Sequence, residues 1–154
     1  MKKIMYFLPA IVLMMAGISA YSQKYTSAAD TVKLNKEYVE VSNDIAELTS
    51  KLSIAQNNLP GYNSKAGNAV SDAKSSMKES SEQASKATNG DIGDAKSSKK
   101  KANKALDDAE DAKDANNKVS NENKKIAKLS ARLKEKQDKL QELEVMRTAI
   151  RNMQ

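Results

Sequence analysis

The chain of 154 residues has no cysteine and no histidine. This removes the usual zinc ligands and the commonest thiol and imidazole catalysts, and it leaves nothing to form a disulfide or carry an N-terminal lipid. Neither of its two prolines and none of its five glycines falls after Gly93, so nothing from Asp94 onward interrupts a helix. Leucine is missing between Ser64 and Thr88, where any core must be built from small side chains. Carboxylates are plentiful but strung along helical stretches. Asp107, Asp108, Asp111 and Asp114 fall on more than one helical face and lack the oxygen-gathering loop of a calcium site. Asn89-Gly90-Asp91 has no strand before it, as a phosphate loop would. The expectation is a protein that is not an enzyme and holds no cofactor or metal.

What the chain does have is heptad periodicity. Ala105, Ala112, Val119, Ile126, Leu133 and Leu140 recur every seven residues, with Leu129 and Leu143 in a second row. Lys136 and Arg147 are weak places in that seam, and Ala95, Ala102 and Ala109 extend its second row toward the N-terminus. This reads as one helix over about residues 94–152, which needs a partner for its apolar stripe. The partner lies earlier in the chain. Leu34, Tyr38, Val41, Ile45, Leu48, Leu52, Ala55 and Leu59 alternate spacings of four and three, predicting a helix over about 28–59. Pro60-Gly61 marks a kink, or alternatively a full turn, before a second row of Val70, Ala73, Met77, Ser80, Ala84 and Ala87 in a helix over about 65–88.

The strongest turn signal is Asn89–Gly93, with Asp94 placed to cap the helix that follows. Folding there matches the arms by size: Tyr38 faces Leu143, Val41 faces Leu140, Leu52 faces Leu129 and Ala55 faces Ile126. Toward the tip a pairing shifted by one residue, Val70 with Ala112 and Met77 with Ala105, fits better, and the Pro60 break would absorb the shift. The same pairing brings Asp44 toward Lys139 and Lys51 toward Arg132. The fold class is therefore all-α, an elongated antiparallel helical hairpin or coiled coil with a kink near Pro60 and a turn at Asn89–Gly93.

The N-terminus has the order of a secretory signal: Met1-Lys2-Lys3, an apolar run from Ile4 to Ile18, then small and polar residues. Residues 1–22 are expected to be removed, leaving 23–154 as one elongated domain; cleavage after Ala20 and a retained anchor are the alternatives. The apolar run is short for a bilayer span and contains Pro9. Losing Lys2 and Lys3 lowers the formal charge from +6 to +4. Export to the periplasm or the cell exterior makes a protein, polysaccharide or anionic envelope surface the expected partner, rather than nucleic acid.

The Ala/Lys/Asp composition of Lys65 to Lys118 resembles that of stress-protective proteins that fold only on drying or binding. The leucine-rich arms on either side depart from it. Three function classes remain. The first is an envelope structural, spacer or adhesin-type subunit acting through protein contacts or as a homo-oligomer. The others are a periplasmic chaperone or adaptor with basic helical arms, and an amphipathic binder of the envelope surface. Candidate interaction residues are Tyr62 beside the proline, the basic Lys124, Lys128, Lys134 and Arg151, and the apolar Val145, Met146, Ile150 and Met153 near the open base.

Overall fold

The structure, a computed structural model, describes residues 25, 27–88 and 90–152. The expected leader and its cleavage point, Asn89 of the turn and Met153 lie outside the described residues. Two helices make the fold: α1 (Thr31–Ala87), preceded by a single 3-10 turn at Ala28–Asp30, and α2 (Ile92–Arg151). They are 57 and 60 residues long, about 85–90 Å at the α-helical rise. The pairing is antiparallel. Tyr38 meets Glu144, Asp44 meets Lys136, Glu79 meets Lys101 and Gln83 meets Asp94, so partners descend α2 as they ascend α1.

The expected all-α hairpin is thus present, and its inward faces follow one rule from end to end. On α1 the inward row runs Leu34, Tyr38, Val41, Ile45, Leu48, Leu52, Ala55, Leu59, Tyr62, Ala66, Ala69, Ala73, Ser76, Ser80, Gln83 and Ala87, with Thr31, Glu37, Ser42, Asp44 and Val70 half-buried beside it. On α2 it runs Asp94, Ser98, Lys101, Ala105, Asp108, Ala112, Ala115, Val119, Glu122, Ile126, Leu129, Leu133, Lys136, Leu140, Leu143, Arg147 and Ile150, with Ser97, Ala109, Met146 and Ala149 half-buried beside it. Both rows alternate steps of four and three without a skip, the spacing that keeps one stripe on the partner in a left-handed coil.

This corrects several expectations. The separate helices over 28–59 and 65–88 are one helix, with Pro60 inside it. Proline in a helix interior forfeits a backbone hydrogen bond and costs about 3 kcal/mol. Its ring is on the exposed side, however, while its neighbours Leu59 and Tyr62 stay in the seam, so packing on both sides holds the helix through it. No register shift is needed there, because the heptad phase does not change. Near the tip the seam is Ala66, Ala73 and Ser76 facing α2, not Val70, Met77 and Ala84; Met77 is 53% exposed. On α2, Ala95 and Ala102 are exposed and the second row is Lys101 and Asp108 instead.

The turn lies where expected. Gly90 has φ of 86°, a left-handed conformation that a side chain disfavours. The cap is Asp91, not Asp94: its carboxylate accepts from the Gly93 N–H at 2.5 Å and the Asp94 N–H at 3.3 Å, which lets α2 start at Ile92. Asp94, one turn on, is left to accept from the Gln83 side chain across the arms. At the opposite end the core is thickest, where Tyr25, Leu34, Val41, Leu143 and Ile150 are buried together and Tyr38, Ile45, Leu140 and Met146 pack against them.

Candidate interaction surfaces

The base of the hairpin is less open than the sequence suggests. Ile150 is only 4% exposed, and Met146 is half-buried against the same cluster. Tyr25, which comes from the segment ahead of α1 and is itself 8% exposed, belongs to the same buried cluster. Its hydroxyl donates to Glu37 at 2.5 Å, and the other Glu37 oxygen receives Lys139 at 2.5 Å. One carboxylate therefore ties the leading segment, α1 and α2 together. A tyrosine twelve residues ahead of a heptad-flanking glutamate is too weak a pattern for the sequence alone to reveal. Val145 stays outside, 60% exposed, and the exposed Arg151 borders an open groove with Thr31, Asn35, Leu34 and Ile150.

The basic candidates divide as well. Lys124 and Lys128 share an open groove with Asn121, Lys125, Leu129 and Arg132, a strip of cations against one apolar side chain. Among these only Lys125 has an ion-pair partner, Glu122 at 3.3 Å, whereas Lys134 stands apart, bound to Asp138 at 3.3 Å. Glu122 is a seam residue with 9% exposure. That acid, nearly buried on the inward row, also escaped the sequence reading, because the row of small and charged residues gave no apolar column to place it in. Lys51 pairs with Glu47 one turn back on its own helix.

Tyr62 is half-buried on the inward row and lines a small groove with Lys65, Ala115 and Lys118. It fills the seam just past the proline, which is what a packing residue there does. The two weak places of the α2 seam are each compensated across the arms. Lys136 donates to Asp44 at 2.6 Å, while Lys139, expected near Asp44, lines the same groove and pairs with Glu37. Arg147 lies 4.3 Å from the centre of the Tyr38 ring, a cation–π arrangement, while the Tyr38 hydroxyl donates to Glu144 at 3.0 Å. The Asp44 carboxylate raises the Lys136 pKa above the ordinary lysine value, through the hydrogen bond first and then by charge, against a desolvation that lowers it.

Among the described residues no group of acidic side chains converges as a metal site, and no helix is long and apolar enough to cross a membrane. Chemically the surface offers charged grooves and apolar strips along a rod, which suits binding by area more than capture of a small molecule. No family model, curated protein or solved structure matches this chain.

Proposed function

We propose that the protein is an exported, non-enzymatic helical rod that works as a structural or spacer subunit of the cell envelope through protein–protein contacts. The observation that carries this reading is the unbroken heptad row on both helices, which makes stiffness and length the properties most consistently specified along residues 31–151. Export rests on the order of basic, apolar and small residues from Met1 to Gln23.

Cell fractionation with intact-mass measurement tests the export step. A periplasmic or secreted species starting at Gln23, or at Tyr21, is expected; a cytosolic species that keeps Met1 overturns it. The spacer step has its own test. Deleting residues 69–75 and 106–112 together removes one heptad from each arm in register, which should shorten the rod by about 10 Å without unfolding it. An envelope partner that still docks at its former distance from the base would rule out a spacing role.

A second reading is favoured by the cation strip. Among the described residues no salt bridge engages Lys124, Lys128 or Arg132, so capture of an anionic polysaccharide, envelope surface or client segment is the alternative activity. It predicts binding that weakens steeply as salt rises and the screening length falls from about 10 Å at 0.1 M to about 3 Å at 1 M.

A further inference from the structure

The two long edges of the hairpin are chemically different. One edge carries the cross-arm ion pairs Glu37–Lys139, Asp44–Lys136 and Glu79–Lys101. The other is marked by the Tyr38–Glu144 bond. On that second edge lie the residues one and four places after each member of the Tyr38, Ile45, Leu52, Leu59 column, which is where helical geometry puts them. From Val32 to Ala84 this set contains a single charged residue, Lys74. The corresponding set on α2, from Lys99 to Arg151, has Ala, Ser, Asn or Gln at nine of its sixteen places and Leu106 at another, with Lys99, Lys113, Lys134, Glu144 and Arg151 as its charged members.

Burial follows the same asymmetry. The large residues of the column nearest this edge, Ile45, Leu52, Leu59, Ile126, Leu133 and Leu140, are all half-buried. Of the large residues nearest the charged edge, Leu34, Val41, Leu143 and Ile150 at the base are 1–4% exposed, while Leu48 and Leu129 farther along are half-buried. Beside the half-buried column, Val32, Val39, Met77, Ile92 and Leu106 stand 53–79% exposed. The apolar arc on each helix is thus wider than the two-helix seam and displaced toward one edge. That displacement also accounts for Val70, Met77, Ala84, Ala95 and Ala102: their periodicity is real, but it belongs to this edge and not to the seam.

We propose that a second copy of this chain covers the sparsely charged edge, giving a four-helix rod with two-fold symmetry. Three features select that occupant. The nearly charge-free strip runs almost the whole length of α1, so the covering body must be as long as the hairpin. Small residues recur along it on both helices, and helix pairs approach closely where both sides are small, which a second copy of the same edge supplies. An edge of about 80 Å by 10 Å offers about 800 Å² per copy, the area a stable dimer needs. The inference concerns the folded rod alone and stands or falls independently of export and of the spacer role.

The test uses the chain from Gln23 to Gln154 at 1–100 μM. Light scattering and sedimentation should report a dimer. Val39→Glu, Met77→Glu and Leu106→Glu together, all at sites exposed in the single hairpin, should raise the dimer dissociation constant at least 100-fold while circular dichroism stays helical. Because the chain has no cysteine, single cysteines at Val39, Met77 or Leu106 should become at least tenfold slower to label with maleimide above the dimerisation concentration. Cysteines at Glu40 or Asp111 should not. A chain that remains monomeric at 100 μM, a dimer indifferent to the three glutamates, or protection on the charged edge instead would each overturn the proposal. So would a monomer that docks through Leu106 onto phosphatidylcholine vesicles, which would make the edge a membrane contact.

Discussion

The base and the tip of this hairpin obey the same spacing rule with opposite chemistry. From Leu34 to Leu59 against Glu122 to Ile150 the inward rows are mainly Leu, Ile, Val and aromatic; from Tyr62 to Ala87 against Asp94 to Val119 they are mainly Ala, Ser and charged. A buried leucine contributes about 1.5–3 kcal/mol, whereas an alanine or serine at the same station contributes little. The tip therefore holds its helices together chiefly by being continuous with the base. Spacing alone fixes geometry, and the size of the residues filling it decides where the stability resides.

The sharpest way to break that contrast is to weaken each half once. Leu143→Ala, at a site 3% exposed within the base cluster, should cost about 2–5 kcal/mol in urea unfolding. Ala112→Gly at the equally sheltered tip should cost about 1 kcal/mol, the helix-propensity difference. Hydrogen exchange would show the same thing without mutation: amides of the tip should exchange through local openings, those near Leu143 only through global unfolding. Comparable losses at the two sites would mean that the tip is an independent source of stability.

Next in size is the link that closes the base. Tyr25→Phe keeps the ring in the cluster but removes its hydrogen bond to the Glu37 carboxylate, a bond to a charged group whose loss costs about 1.5–3 kcal/mol. The variant should lower stability and expose the segment around Ser27 to protease sooner than the helices. No change in either would show that the ring alone anchors the segment.

How far the residues revealed this in advance depends on which half is considered. In the base, leucines stand out from charged neighbours, and the hairpin, the turn and the place of Tyr38 against the cluster that holds Leu143 were all legible. In the tip, Ala and Ser occur on the seam and beside it, so hydrophobicity could not separate Ala73 and Ser76 from Val70 and Met77. The missing signal was continuity: carrying the four-three alternation from Leu59 through Tyr62 and Ala66 reaches the true row. Pro60 discouraged that step, because a local breaker seemed stronger than a phase maintained over many turns. Of the interaction candidates, Lys124 and Lys128 share a groove, Tyr62 and Ile150 serve the core, and the Tyr25–Glu37–Lys139 link had no readable motif.

At the far end of the rod, Asp91→Ala removes the carboxylate that caps α2. A lost cap of this kind costs about 0.5–2 kcal/mol. If the tip is subordinate to the base, the variant should show faster exchange at the amides of Gly93 and Asp94 and a smaller loss in global unfolding than in local opening. A global loss at the top of that range would mean that the turn nucleates the pairing.

The smallest expected effect separates the polar seam residues of the two halves. Lys136 of the base donates to Asp44 at 2.6 Å, while Lys101 of the tip stands 3.6 Å from Glu79. The hydrogen bond and charge of Asp44 raise the Lys136 pKa above its ordinary value of 10.5. Because the folded state binds this proton more tightly than the unfolded chain, the contribution is complete below about pH 10.5 and is lost as pH rises through the raised value. Other lysines titrate in the same range, so the useful quantity is the difference between the wild type and Lys136→Gln. That difference should be flat through neutral pH and shrink on the alkaline side, and Lys101→Gln should give a smaller one because its partner is farther away. Equal differences for the two lysines would show that the coil treats seam charges alike in both halves, leaving leucine content as the sole distinction between base and tip.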